Sequence, residues 1–542
     1  MRNRWGVIGL VAVISFLTGG WLLQRGAATD GNVYQQARLF DDVLAHISNY
    51  YVDSIGTTDL YKKATTGLLE ELHDPYSVLL VNDDYRQLTE TTTGNYAGLG
   101  IQIDVRDGWI TVVAPLPETP AERAGVETGD QIISVDGKST QGWNNDQAVK
   151  SLRGEAGSAV VLQVKRTGVA SPMKFNLVRA QIHVHSVPPG TLFPGGVGYI
   201  SLNTVSETSG AEVQNEITSL LGKGMKSLIL DLRGNPGGLL DQGAKVADLF
   251  LDPNQEIVST RGRAKGSTKH FLDDTKQLWP NLPIVTLVND GTASAAEIIS
   301  GALQDHDRAV VIGVPTFGKG LVQTLFPFSE TTALKLTTAR WYTPSGRTIQ
   351  RIAKNEEDQA AQAALAATAA PDRNPSDTTK PLPTFRTDGG RTVRGGGGIV
   401  PDIVVRPDSL NAGERAFAAA LGAKVPEYRD VLTGYALELK SAHSISGENF
   451  QLTPAMRAEL LKRLRAKGVE MTDAIFNSAE PLVDEQLSYE IARYVFGRPA
   501  EFRRRVQDDR QMQTALGLLR KATTPKDLLG LAMAQAGSPS SN

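Results

Sequence analysis

The sequence predicts a multidomain α/β protein. Three observations predict it. The chain has 542 residues, more than one domain usually holds. Short apolar runs recur between residues 186 and 353, at Val197–Leu202, Ser227–Leu232, Ile284–Val288, Ala309–Ile312 and Ala333–Thr338, with helix-patterned stretches between several of them. Residues 94–185 differ in character, being glycine-punctuated and strand-rich.

Composition narrows the function. The apolar share of 41% and the charged share of 21% are ordinary for globular protein. A formal net charge of -3 gives no footprint for nucleic acid, which is excluded as a partner. The chain has no cysteine. Disulfides, a thiol nucleophile, cysteine-ligated metal and cysteine lipidation are therefore excluded.

Residues 1–28 read as a membrane anchor or signal peptide. Arg2 and Arg4 precede an uncharged run, residues 5–23, close to the roughly 20 residues that span a bilayer. A cleavable signal has a shorter apolar core, about 7–15 residues, so an uncleaved anchor is favoured over cutting after Ala28. The basic end stays inside. The bulk of the chain is then expected outside the cytoplasm, in a periplasm or at the cell exterior, held to the cytoplasmic membrane.

Residues 29–93 read as a helical cap or dimerisation segment. Phe40, Val43, Leu44 and Ile47 form one apolar stripe, and Leu68, Leu69 and Leu72 another. The HDPYS turn, His73–Ser77, follows the second.

Within residues 94–185, a short helix at AERAG is followed by a strand at Gln131–Val135 and a turn at Asp136-Gly137. Near the start lies Gly98-Leu99-Gly100-Ile101. A glycine loop there aims consecutive N–H groups at one point, which suits a carboxylate. The strand after it offers an edge to an extended peptide. On this loop and the block PAERAGVETGDQIISVDG, the segment resembles a PDZ domain. The resemblance implies that Gly98, Leu99, Gly100 and Ile101 bind a peptide's C-terminus.

Residues 186–353 read as the core. Residues 354–394 pass from an Ala/Gln/Glu-rich run to a Pro/Thr/Asp-rich one, a composition that buries little and is expected as a mobile insert. The core resumes at 395–408 with GGGGIVPDIVV. Residues 409–542 are helical in pattern with a disordered end, and Thr453 and Gly468 bracket the clearest helix. Arg503–Arg505 reads as a solvated face.

The stretch Asp290–Gln323 organises the chemistry. Ser294-Ala-Ala-Glu297 is a capping box at a helix start. Its small neighbours leave the hydroxyl approachable, and free N–H groups at a helix start suit a developing oxyanion. The G-x-S-x-G elbow is absent. None of the seven histidines stands in a catalytic context. His183 and His185 alternate along a strand like a metal pair, but no third ligand spacing supports them, so no metal and no cofactor is expected.

Lys319, in GVPTFGKGLVQ, is the better base. It works only when neutral. Its pKa must fall by roughly 2–3 from about 10.4, at a cost of about 3–4 kcal/mol, which burial can impose. Gln323 could direct the amine. The same loop nearly matches a phosphate-binding loop, but Gly320 replaces the Ser/Thr that would hold magnesium. A second glycine loop, Gly234–Gly238, offers a backbone donor.

From about residue 37 to 408 the chain resembles the carboxyl-terminal processing proteases. YYVD, HDPYS, the PDZ unit, LDLRGNPGG, VNDGTASAAEI, TFGKGLVQ, YTPSGRTIQ and GGIVPD occur in order. The resemblance implies an α/β serine-protease core of the crotonase/ClpP-like spiral type. It implies Ser294 as nucleophile, Lys319 as general base and Gln323 as the residue orienting it. The oxyanion hole would come from the N–H groups of Ala295 and Gly237. Substrates would be proteins with exposed C-terminal tails. A homo-oligomer and an adaptor protein are further candidate partners. Arg153, in SLRGEAG, is a candidate relay reporting an occupied PDZ unit. The insert and the C-terminal helices depart from the family pattern. The alternative reading is a PDZ-based scaffold on an inactive protease core.

Overall fold

The computed structural model describes residues 33–351 and 382–536. The expected anchor at residues 5–23 and most of the expected insert lie outside the described residues. Among those described, no helix is long and apolar enough to cross a membrane. The chain divides into two compact units, residues 1–82 with 323–337, and residues 83–322 with 338–542.

The first unit holds helices α1 (residues 33–50) and α2 (Thr57–Glu70) and strand β1 (Val78–Val81). The cap is therefore not helical throughout. Strand β1 pairs antiparallel with residues 332–335. The HDPYS turn delivers the chain to it: Asp74 accepts the Tyr76 amide at 3.1 Å and the Ser77 hydroxyl at 2.5 Å. Ser77 Oγ in turn accepts the Thr337 amide at 3.0 Å. In α1, Leu44 is buried, but Phe40 and Val43 stay exposed.

The second unit opens with α3 (Asp83–Thr93) and β2 (Asn95–Gly98). A β-rich domain follows, built from β3 (Ile101–Arg106), β4 (Trp109–Pro115), α4 (Pro120–Arg123), β5 (Gln131–Val135), β6 (Lys138–Ser139), α5 (Asn145–Leu152), β7 (Ala159–Lys165) and β8 (Met173–Val178). The sheet runs β3-β4-β5-β7-β8, with β3 at its edge. Alternate residues on each strand point inward: Val160, Leu162 and Val164 of β7 meet Phe175 and Leu177 of β8 in one core. The chain leaves through β9 (Ala180–His183), which pairs antiparallel with β2. The two connections of the domain thus form a two-stranded ribbon.

The core adds β10 (Thr191–Phe193), β11 (Val197–Ser201), α6 (Ser209–Gly222), β12 (Ser227–Asp231), α7 (Leu240–Asp248), β13 (Glu256–Gly262), β14 (Lys269–Leu272), β15 (Ile284–Val288), α8 (Ala295–Asp305) and β16 (Val310–Gly313). Its sheet runs β10-β11-β12-β15-β16 and ends on the strand Ile403–Val404. All pairs but the first are parallel. Strands β12, β15 and β16 are buried along their whole length, hence their unbroken apolar runs.

Each face of this sheet is covered differently. Leu228, Leu230 and Ile284 face α6, α7 and α8, packing on Val213, Ile217, Ala244, Ile298 and Leu303. Ile229, Val285, Leu287, Val310 and Ile312 face the other way, onto Met512, Ala515, Leu516, Leu519 and Leu528. The last two described helices, Arg510–Leu519 and Pro525–Ala536, are therefore the second layer of the core rather than an appendage.

The helices between residues 412 and 508 make their own core around Phe417, Leu432, Leu460, Leu464, Phe476 and Leu487. Thr453 caps its helix through the Met456 amide at 3.2 Å. The basic run Arg503–Arg505 is not simply solvated. Arg503 binds Glu448, Arg504 lies 3.8 Å over the Phe450 ring, and Arg505 lies 4.2 Å over Tyr489. This bundle grips the polar side of β3 and its turn. Arg498 donates to Gln102 at 2.5 Å, Arg429 pairs with Asp104 at 3.3 Å, and Lys467 pairs with Asp107 at 2.6 Å.

Leu516→Ala should lower stability by about 2–4 kcal/mol, since a Leu side chain against a fully apolar face leaves a cavity when cut back. The urea midpoint of the full chain is the measurement. An unchanged midpoint would mean the helix does not carry the sheet's second face.

Candidate active site

Three loops leave the C-terminal ends of three adjacent parallel strands, the place where open α/β sheets keep their sites. The glycine loop Gly234–Gly238 follows β12, the serine loop follows β15, and the lysine loop follows β16.

Ser294 stands between β15 and α8 with φ 52° and ψ -118°. A side chain in that region costs roughly 1–3 kcal/mol. The G-x-S-x-G sequence is absent, yet the strained strand–serine–helix turn is present. The strain is sustained by neighbours on every side. Asn289 Oδ1 accepts the amides of Gly234 (2.8 Å) and Gly291 (3.1 Å). The Thr292 hydroxyl donates to Leu232 O at 2.8 Å, and the Ala293 amide to Asn235 O at 2.9 Å.

The expected capping residue Glu297 does more than cap. It is fully buried and takes four donors. Oε2 accepts the Ser294 amide at 2.8 Å and the Lys319 amide at 2.9 Å. Oε1 accepts the Thr316 hydroxyl at 2.5 Å and the Gly318 amide at 2.7 Å. Burial pushes the Glu297 carboxyl up, and these four donors oppose it. Both carboxyl oxygens are thus fully engaged by hydrogen-bond partners, which is what makes the burial tolerable. The amide nitrogens of Ser294 and Lys319 are thus no further apart than the sum of two hydrogen bonds. Sequence reading missed this role. The capping spacing was visible, but the reach to residues 316–319 depends on β15 lying beside β16.

Lys319 is half-buried. Its carbonyl oxygen accepts the Trp341 indole N–H at 3.0 Å, so its backbone is held on both sides. Phe317 donates its amide to Thr292 O at 3.0 Å and packs on Ala293, a second stitch between the lysine and serine loops.

Gly237 has φ 91° and touches the serine turn. A Cβ there would lie 2.7 Å from Ala293 O, 2.8 Å from the Ala295 nitrogen and 2.8 Å from Ser294 Cβ. Only glycine fits. The structure brings Gly237, Ser294, Ala295 and Lys319 together. Ala295 is the first residue of α8, where an amide has no carbonyl within its own helix. The Gly237 amide, in contrast, donates to Asn235 Oδ1 at 2.8 Å. Asn235 is buried and its side-chain Nδ2 donates to Leu202 O at 2.7 Å.

One residue that sequence reading gave no role anchors the glycine loop from behind. Arg233 donates to Asp231 at 2.7 Å and to Asp509 at 2.7 Å, tying the loop to the C-terminal helices. Gln323 belongs to the first unit, where its amide donates to Thr337 Oγ1 at 3.3 Å.

In the β-rich domain, Leu99 is buried and Gly98 makes room for an aromatic ring: a Cβ on Gly98 would lie 2.8 Å from the Tyr96 ring. The Gly100 backbone hydrogen-bonds the Tyr96 hydroxyl. Ile101 begins edge strand β3, which pairs only with β4. Arg153 pairs with Glu90 of α3, and its guanidinium lies 5.0 Å over the Tyr96 ring. His183 ends β9, paired with Asn95 of the ribbon that also carries Tyr96 and Gly98, and His185 follows just beyond it.

Residues 196–357 match peptidase family S41, and residues 111–166 match a PDZ domain. The carboxy-terminal-processing protease of Bartonella bacilliformis is 39% identical over 353 residues, covering 64% of this chain and 80% of that one. The carboxy-terminal processing protease CtpA of Bacillus subtilis is 35% identical over 342 residues, covering 63% of this chain and 72% of that one. Among solved structures, a photosystem II D1 C-terminal processing protease is 29% identical, with 57% of this chain and 88% of that chain covered and a TM-score of 0.33.

Glu297→Gln keeps the shape but turns one acceptor oxygen into a donor NH2, which then faces two donors. A stability loss of about 2–5 kcal/mol should follow, with kcat/KM falling by at least roughly 100-fold as the two loops part. Urea unfolding and peptide hydrolysis measure the two effects. Wild-type values in both would refute the shared carboxylate.

Proposed function

The chain belongs to the carboxy-terminal processing proteases of peptidase family S41, and from that premise we propose that it is a membrane-anchored, extracytoplasmic serine endopeptidase that selects unstructured C-terminal tails and cuts by a Ser–Lys dyad. That it is a serine-type peptidase with a PDZ domain follows from the family. The finer reading rests on one observation above others: the backbone of Ser294 and the backbone of Lys319 meet on a single buried oxygen of Glu297.

In this reading the Ser294 hydroxyl attacks the scissile carbonyl and passes its proton to the neutral amine of Lys319. The charge on the tetrahedral intermediate is taken by the Ala295 N–H at the start of α8, where the helix dipole adds to the bond. Gly237 supplies the second donor once its amide leaves Asn235. A donor of this kind is worth roughly 3–4 kcal/mol in serine hydrolases. The amine of Lys319 returns the proton to the leaving nitrogen. Water, activated by the same lysine, then frees the acyl-enzyme. Gln323 holds the amine's direction.

Tail recognition falls to the loop Gly98–Ile101 and the edge of β3, a strand-addition mode. Tyr96 engages the Gly100 backbone in this arrangement, so an incoming carboxylate competes with its hydroxyl. Arg153 bridges Tyr96 and Glu90 of α3, which makes it the relay between tail and core. The exposed Phe40 and Val43 support a homo-oligomer through α1. An adaptor docks most readily on the C-terminal bundle, the part outside the family match. Residues 5–23 supply the membrane anchor.

The full chain should cleave peptides carrying a flexible, apolar C-terminal tail. Ser294→Ala and Lys319→Ala should each lose roughly a thousand-fold or more in kcat. Equal rates in all three proteins would sink the dyad, and no cleavage by any would favour a scaffold on an inactive core.

Arg153→Ala should narrow the difference in rate between tailed and tail-less peptides. An unchanged ratio would remove the relay.

A further inference from the structure

The ribbon that joins the PDZ domain to the core carries a cluster that the peptidase reading does not use. His183 closes β9, opposite Asn95 of β2. His185 follows two residues later, its ring 4.8 Å from that of His183 and perpendicular to it. Glu212, in the first turn of α6, supplies the third side chain that spacing alone could not reveal. Its Oε1 lies 2.9 Å from His183 Nε2 and 3.5 Å from His185 Nδ1. The two nitrogens and the oxygen all fall within 4.8 Å of one another.

We propose that His183, His185 and Glu212 form a binding site for a divalent transition-metal ion of the zinc class, which ties the two connecting strands of the PDZ domain to helix α6.

The donor chemistry fits. Two imidazoles and one carboxylate are a borderline N/N/O set, the kind zinc takes with a fourth position left for water. Bonds of about 2.0–2.2 Å in tetrahedral geometry set ligand atoms roughly 3.3 Å apart. The 2.9 and 3.5 Å separations lie on either side of that value, so the side chains close on an ion by small rotations.

The surrounding shell is already oriented. His183 Nδ1 faces Asn95 Oδ1 at 3.0 Å. The Asn95 amide nitrogen donates to Thr93 O at 3.1 Å, which fixes its oxygen toward the ring. His183 therefore faces an acceptor oxygen at each ring nitrogen, Asn95 Oδ1 at Nδ1 and Glu212 Oε1 at Nε2. Glu212 Oε2 is held by the Ser186 hydroxyl at 2.8 Å and the Val187 amide at 3.0 Å. A neutral imidazole carries one N–H and can donate to only one of the two oxygens that face His183, so the other contact calls for a second proton or a metal ion. A proton on His183 would answer for one ring, whereas a divalent ion answers for both. His185 is largely exposed, so the cluster is open to solvent.

The site also touches the catalytic side of the core through a short path. The Thr208 hydroxyl donates to Glu212 Oε1 at 2.6 Å. Four residues earlier, Thr204 Oγ1 and the Val205 amide bind Gly237 O at 3.3 and 2.9 Å. An ion at the ribbon thus restrains the segment on which the proposed oxyanion glycine leans.

The test does not depend on peptidase activity. The untagged full chain carrying Ser294→Ala, which prevents self-cleavage, competes for Zn²⁺ with a chromogenic chelator. One equivalent per chain should bind. His185→Gln, a change at an exposed ring that leaves the fold intact by circular dichroism, should abolish it. Asn95→Ala should weaken it about 10- to 100-fold, as loss of an orienting partner does. Asp248→Asn, in the other acidic group of Asp248, Asp273 and Asp274, should change nothing. No stoichiometric binding, binding unaffected by His185→Gln, or binding lost with Asp248→Asn would each overturn the proposal.

Discussion

Glu297 is a carboxyl group buried away from water, and such a group is tolerated only when its oxygens are met by hydrogen-bond partners. The four that meet it come from two places in the chain: the serine turn, and the loop from Thr316 to Lys319. Neither segment is regular structure. The serine turn holds a side chain at a positive φ, and the lysine loop is an irregular crossing between strands. Removing the carboxylate would leave buried N–H groups unmatched in both loops at once. The strain at Ser294 and the placement of Lys319 are thus two ends of one electrostatic arrangement. The interior gains local order there, and the geometry of the proposed dyad inherits it.

Much of this was legible in the sequence. The unbroken apolar runs of β12, β15 and β16 announced strands buried on both faces, and residues just beyond such strands are where α/β proteins act. The serine and lysine could be named because small residues and glycines surround them. What stayed hidden depended on strand order. Nothing local says that β15 neighbours β16, so Glu297 looked like a helix cap and nothing more. Asn235 looked like part of a glycine turn, yet its side chain occupies the Gly237 amide. Glu212 could not be joined to His183 and His185 because it comes from a different element with no fixed spacing. The strand Val78–Val81 escaped notice because its partner lies far along the chain.

The C-terminal region shows the same limit more broadly. Its helical pattern was plain, but a pattern of apolar residues does not say what it covers. Two tasks have been divided along it. The bundle from 412 to 508 closes on its own core and holds the polar side of β3 through Arg429, Lys467 and Arg498. The final helices fill the second face of the catalytic sheet. Arg233 joins the two levels, since the arginine that braces the glycine loop also binds Asp509 at the start of the helix Arg510–Leu519. The peptide-binding domain and the catalytic sheet therefore share a scaffold that lies downstream of both in the sequence.

That arrangement bears on how the chain is made. The last strand of the sheet, Ile403–Val404, leaves the ribosome well before the helices that cover its second face. Roughly a hundred residues separate them, which at 5–20 residues per second is a delay of about 5–20 s. During that interval Ile229, Val285, Leu287, Val310 and Ile312 have no partner layer. A nascent chain in this state presents an apolar sheet face of the kind that chaperones bind, and the loops at the end of the sheet cannot take their final form until those helices have emerged. The order of synthesis thus makes the covering of the second face, and not the pairing of the strands, the last step in assembling the sheet.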